Sequence, residues 1–137
     1  MDLLVQLNKY TLRGKYTCRG KEWAFQKELF NHLKKDGFIC YHIEDTSYWY
    51  RFLDGICVTP EGFMFALELK IVEKYTFNIS QFEDSQIALM DEMIKRGCTP
   101  YVGIFSIWNN EYKVLTYQEL IEQQNDKWGI KLFNKIK

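Results

Sequence analysis

The sequence predicts an α/β fold of the α+β kind, with a mixed central sheet flanked by helices. Three observations predict it. Apolar residues recur at helical spacing over 21–36 and again over 80–96, while the segments between and after them are apolar over strand lengths. Gly37, Pro60–Glu61–Gly62, Gly97 and Asn109–Asn110 punctuate those segments as turn and stop signals. A chain of 137 residues with 47% apolar and 17% aromatic residues can bury a core of its own. The resulting order is α, β, β, β, α, β, β, α, which folds naturally as a mixed sheet with helices packed on it.

Each element has its own signal. Residues 1–8 alternate loosely and read as a short strand or arm. In 21–36 Phe25, Leu29 and Leu33 recur every four residues, with Glu22, Gln26 and His32 on the flanks, and Gly37 stops the helix. A strand follows over 37–43, then a polar and aromatic loop over 44–51. Residues 53–59 and 63–71 form a strand pair joined at Pro60–Glu61–Gly62. Ser80 with Glu83 reads as a capping box opening a helix that ends at Gly97, its buried face marked by positions 82, 86, 89, 90, 93 and 94. Gln86 is the odd member of that face. Pro100 precedes a strand over 101–108, and Asn109–Asn110 turns it into another. Thr116 with Glu119 opens a short last helix. One domain is expected: an arm over 1–20, a core over 21–117, and a C-terminal helix and lysine-rich tail over 118–137.

Composition excludes several classes. The charge is balanced, 18 basic against 18 acidic residues, so polyanion binding needs a local patch. The four cysteines form no CxxC pair, and with only two histidines a zinc module is not indicated. Reduced cysteines, no signal-peptide layout in MDLLVQLNKY and no apolar run of spanning length point to the cytoplasm. Lys9, Arg13, Lys15, Arg19 and Lys21 make the charged residues from Leu3 to Lys21 uniformly basic, which suits either a solvated arm or contacts to phosphates.

The informative feature is the 53–71 hairpin. With the turn centred on Glu61, Val58 faces Met64, Ile56 faces Ala66 and Asp54 faces Glu68. Met64, Ala66, Glu68 and Lys70 then share one face, while Phe65, Leu67 and Leu69 point into a core. Opposed carboxylates destabilise a strand pair unless a cation lies between them. Oxygen ligands without histidine or cysteine favour magnesium or manganese. Lys70 adds an ammonium on the same face. Spacing alone also allows Asp54 to start a turn, with Glu68 and Lys70 on a solvated strand face.

The run DGICVTPEGFMFALELK resembles the core motif of the PD-(D/E)XK nuclease superfamily, in which an Asp begins one strand and E-x-K follows on the next. The Pro that usually precedes the Asp is Leu53 here. The helix EWAFQKELFNHLKKDGF is similar to the N-terminal helix of these nucleases, which contributes a Glu to the metal site. Glu22 is assigned that place, with Gln26 and Glu28 as alternatives. NISQFEDSQIALMDEMIKRG, followed by PYVGIFSI, is similar to the corresponding helix and strand of RecU-like Holliday-junction resolvases and VRR-NUC proteins. There a Gln near the helix start approaches the active site, and Gln86 fits it. The resemblance spans residues 20 to 117.

The resemblance implies a restriction-endonuclease-like core, αβββαβ, and metal-assisted hydrolysis of phosphodiesters. It implies a magnesium ion, replaceable by manganese, held by Asp54, Glu68, the Leu69 carbonyl and Glu22. Lys70 would position or help deprotonate water, and Gln86 would orient water or phosphate. The basic arm would contact DNA, and Tyr48, Trp49 and Tyr50 would stack on exposed bases or serve as core aromatics. The expected activity is a structure-selective Holliday-junction resolvase in DNA recombination, acting as a homodimer in a phage or host cytoplasm. The alternatives are a replication, repair or restriction-like nuclease, and a non-catalytic DNA-binding or protein-interaction module on the same fold.

Overall fold

A computed structural model of the chain describes residues 2–14, 16, 22–43, 53–124 and 129–134. The expected loop over 44–51, with Tyr48, Trp49 and Tyr50, lies outside them, as do Lys127, Lys135 and Lys137 of the tail. Helix α1 spans Leu3–Leu7 and α2 Glu22–Lys35, followed by strands β1 (Ile39–His42), β2 (Gly55–Val58), β3 (Met64–Val72) and β4 (Thr76–Phe77). A 3-10 turn over Ile79–Gln81 leads into α3 (Asp84–Lys95), then β5 (Pro100–Ser106), β6 (Glu111–Thr116), α4 (Tyr117–Gln123) and β7 (Ile130–Lys131).

The main sheet has five strands in the order β1-β2-β3-β5-β6. β1, β2 and β3 form an antiparallel meander, β3 and β5 run parallel, and β6 returns antiparallel to β5. The parallel step is made by the crossover that contains α3, which places that helix on one face of the sheet. On that face Ala66, Val102 and Ile104 pack with Met90 of α3 and Leu120 of α4. On the other face Phe65, Leu67, Leu69 and Ile71 meet Phe25, Leu29, Phe30 and Leu33 of α2. β3 and β5 are covered on both faces, which explains their nearly unbroken apolar sequences.

α2 ends as its sequence predicts. Gly37 takes φ of 90°, which lets the Phe38 N–H reach the Leu33 carbonyl at 3.1 Å and close the last turn. Gly55 does different work. A Cβ there would stand 2.5 Å from the Phe30 ring, so the bare backbone lets α2 settle onto β2 immediately beside Asp54.

Three expectations are corrected. Residues 3–7 form a helix rather than a strand: Asp2 accepts the Val5 N–H at 3.3 Å, and Leu7 is buried against the core. Ser80 does not open the second long helix. It sits in the 3-10 turn, and α3 starts three residues later with Glu83 as N-cap. The segment after α4 is more than a tail, because Ile130–Lys131 pairs with Thr76–Phe77 as a second, two-stranded sheet. The capping box at Thr116 is present: its hydroxyl accepts the Glu119 N–H at 3.1 Å.

The two edges of the main sheet differ. Along β6, the Asn8 side chain accepts the Val114 N–H at 2.7 Å and donates to the Val114 carbonyl at 2.9 Å, standing in for a further strand. Along β1, Ile39 and Tyr41 are 68% and 67% exposed. Among the described residues no helix is long and apolar enough to cross a membrane.

Candidate metal-binding and catalytic site

The hairpin register is the one its turn predicts: Val58 pairs with Met64 and Ile56 with Ala66. Gly62, with φ of 94°, makes the turn, and the Thr59 N–H donates to the Phe63 carbonyl at 2.8 Å. That bond marks Thr59 and Phe63 as a hydrogen-bonded pair. Alternation along the ladder then makes 58/64, 56/66 and, one step past its regular end, 54/68 the close, non-hydrogen-bonded positions, with Cα atoms about 4.5 Å apart. Alternation therefore puts Asp54 opposite Glu68, one step beyond the last paired residues Gly55 and Leu67, on the face covered by α3.

Each carboxylate is held by a donor. Asp54 Oδ2 accepts the Leu69 N–H at 2.8 Å. Glu68, only 1% exposed, accepts from Gln86 Nε2 at 2.7 Å. Gln86 is equally buried, and its Oε1 accepts the Glu83 N–H at 3.0 Å. The carbonyl end of the amide thus caps α3 while the NH2 end is aimed at Glu68. A polar residue on an apolar helix face is explained by the buried carboxyl group it satisfies.

α2 secures the backbone beneath. Gln26 Nε2 donates to the Asp54 carbonyl at 2.9 Å, and Phe30, one turn on, packs against Gly55. Lys70 lies on the Glu68 face with its Nζ 5.7 Å from the centre of the Phe82 ring. Among the described residues it makes no ion pair with either carboxylate.

The structure thus gathers Asp54, Glu68, Gln86 and the Leu69 backbone, with Lys70 beside them. Glu22 lies one turn before Gln26 on α2, yet among the described residues no three His, Cys, Asp or Glu side chains converge as a metal-binding group. Of its alternatives, Gln26 reaches the site through the Asp54 backbone, whereas Glu28 faces elsewhere. Glu28 accepts from the Arg13 N–H, from the Gly14 N–H at 2.7 Å and from the Tyr16 hydroxyl at 2.7 Å. Burial pushes the Glu28 carboxyl up, but the Tyr16 hydroxyl and the Gly14 and Arg13 N–H groups outweigh it and hold the group below its ordinary value. A donor set of carboxylate oxygens without histidine or thiolate suits a hard divalent cation, with carbonyl and water completing its shell.

The described part of the basic arm is packed against the fold. Lys9 pairs with Asp36 at 3.1 Å, the Tyr10 hydroxyl donates to Asp36 at 2.7 Å, and Tyr16 is buried. Lys15, Arg19 and Lys21 lie outside the described residues. Sequence reasoning missed the Gln26–Asp54 contact and the clamp made by Glu28. A buried Gln four residues before Phe30 was the available signal for the first. The second depends on a contact fourteen residues away and has no local sign.

No protein-family model matches the chain, and no curated protein matches it.

Proposed function

We propose that the chain is a magnesium-dependent endonuclease with a restriction-endonuclease-like core of the PD-(D/E)XK type, cleaving DNA phosphodiesters. The observation that carries this reading is the Asp54 carboxylate held on the Leu69 N–H, next to the buried Glu68 of the neighbouring strand, with Lys70 two residues on. Apposed carboxylates in an apolar setting need a cation or a proton between them, and oxygen donors select magnesium or manganese.

In this reading Asp54, Glu68 and the Leu69 carbonyl hold the metal. A magnesium ion bound there would polarise a phosphoryl oxygen and make water more acidic. Gln86 fixes the rotamer of Glu68, and the Leu69 N–H fixes that of Asp54, so the two acids are oriented before substrate arrives. The Lys70 ammonium, carried on a flexible stem beside the acids, stabilises charge building on the phosphoryl oxygens and helps position the attacking water. Glu22 contributes through water from the start of α2. The exposed Arg13, with the further basic residues of the arm's sequence, takes backbone phosphates, which sets affinity without reading bases.

Structure-selective cleavage is the specificity we assign to this site. A four-way junction, resolved by two symmetric cuts from a homodimer, is the substrate we assign. The experiment is cleavage of a labelled four-way junction beside linear duplex and flap substrates with magnesium. Paired symmetric nicks support the resolvase, and end-dependent products move the assignment to a repair nuclease. Activity that survives Glu68→Ala or Lys70→Ala removes the site. A second reading, a non-catalytic DNA-binding module, is favoured by the near-complete burial of Glu68 and by the absence of a third carboxylate among the described residues. Tight binding with no cleavage in magnesium or manganese would select it.

A further inference from the structure

The opposite face of the same strands carries a second pair of functional groups. Cys40 on β1 and Cys57 on β2 are direct cross-strand partners. The Ile43 N–H donates to the Asp54 carbonyl at 2.8 Å, which makes 43/54 a hydrogen-bonded pair. By alternation 40/57 is a non-hydrogen-bonded pair, the closer kind, with Cα atoms about 4.5 Å apart. A disulfide accepts Cα separations of roughly 4.4–6.8 Å, so this position needs little backbone movement to be bridged.

The surroundings fit. Both side chains point to the α2 side of the sheet, Cys57 fully buried in that core and Cys40 half-buried against it on the edge strand. One sulfur can therefore be reached from solvent, and its partner is shielded. The Asp54 and Glu68 side chains leave from the other face, so the thiols take no part in the proposed hydrolysis.

We infer that Cys40 and Cys57 form a reversible disulfide by exchange with a low-molecular-weight disulfide of the glutathione class. The Cys40 thiolate attacks one sulfur of glutathione disulfide, breaking its S–S bond and expelling one glutathione thiolate. The Cys57 thiolate then attacks the Cys40 sulfur of the mixed disulfide and expels the second glutathione. Two protein thiols are oxidised, one disulfide is reduced to two glutathiones, and the two thiol protons pass to them.

The order of attack follows from the environment. The Cys57 thiol, hydrogen-bonded to the Cys40 sulfur, holds Cys40 below the ordinary thiol value; burial opposes this and the Lys34 ammonium supports it. That same hydrogen bond, with burial, pushes Cys57 well above the ordinary value. Cys40, which solvent reaches while Cys57 is buried, is thus the attacking thiol, and Cys57 is the resolving one. The product ties the edge strand β1 covalently to β2.

The test is equilibration of the full chain with glutathione disulfide and glutathione, followed by acid quench, alkylation in denaturant and non-reducing peptide mapping. The expected result is a cross-linked peptide pair containing Cys40 and Cys57, lighter by two hydrogens, lost with dithiothreitol. It persists in Cys98→Ser and disappears in Cys40→Ser, whose half-exposed position on the edge strand makes it the safer variant to fold than Cys57→Ser. The exposed Cys98 reports that the oxidant is active. Cys98 converted to its mixed disulfide while Cys40 and Cys57 both take the alkylating label would overturn the inference. So would a cross-link from either of them to a different cysteine.

Discussion

Gln86 donates to Glu68 at 2.7 Å across a contact that solvent hardly reaches, and the far end of the same amide caps α3. One side chain therefore sets the start of a helix and the orientation of a buried acid. Gln86→Leu should lower unfolding free energy by about 1–3 kcal/mol, because Glu68 loses a donor in the interior. It should also weaken magnesium binding by about 10–100-fold, as loss of an orienting partner does. Urea unfolding reads the first and calorimetric titration with magnesium the second. Unchanged values in both would mean that the contact carries no strain-free preference for this geometry.

Lys70 separates chemistry from stability. Its ammonium lies over the Phe82 ring on a partly exposed site, an interaction of about 0.5–1 kcal/mol. Lys70→Ala should therefore leave the unfolding midpoint nearly in place while abolishing magnesium-dependent cleavage of the junction substrate. Cleavage at the wild-type rate would remove Lys70 from the proposed mechanism.

Gly55 is occupied space. A methyl group there meets the Phe30 ring at 2.5 Å, so Gly55→Ala should cost about 1–3 kcal/mol through overpacking. Phe30→Leu combined with it should recover part of that loss. Strict additivity of the two losses in a double-mutant cycle would contradict the contact.

Glu28 gives the fold an acid-sensitive tether. Its carboxyl is held below the ordinary value in the folded chain, so the folded state favours the charged form. A depressed carboxyl contributes stability that is fully present above the unfolded value, roughly pH 4.3, and that fades as pH falls through the folded value. The urea midpoint of the wild type should exceed that of Glu28→Gln at neutral pH, and the gap should close below about pH 4. A gap independent of pH would show that the clamp on Arg13, Gly14 and Tyr16 does not depend on charge.

How much could be read beforehand follows the range of the forces involved. The α2 stop at Gly37, the Pro60–Glu61–Gly62 hairpin, the Thr116 capping box and the register that sets Ile56 against Ala66 all rest on residues near one another in the chain, and each is visible as a local pattern. α1 is too short to persist by propensity and exists because Leu7 and Asn8 find β6, more than a hundred residues away. β4 and β7 are two-residue strands that hold through each other's backbone and through Phe77 and Ile130, which are buried in the core shared with α3 and α4. Ser80 and Glu83 both suit a helix cap, and Gln86 decides between them only once Glu68 is in place to take its amide.

The Asn8 amide on Val114 has a consequence for how copies of this chain can meet. It occupies the outward-facing N–H and carbonyl of Val114 in the last strand, so backbone pairing from outside finds that position already taken. On the opposite border the outward-facing backbone groups are those of Cys40 and His42, and among the described residues no side chain is bonded to them. A sheet that could be lengthened from one border only would join two molecules about a twofold axis and then have nothing left to offer a third, so a single asparagine would stand against growth into filaments.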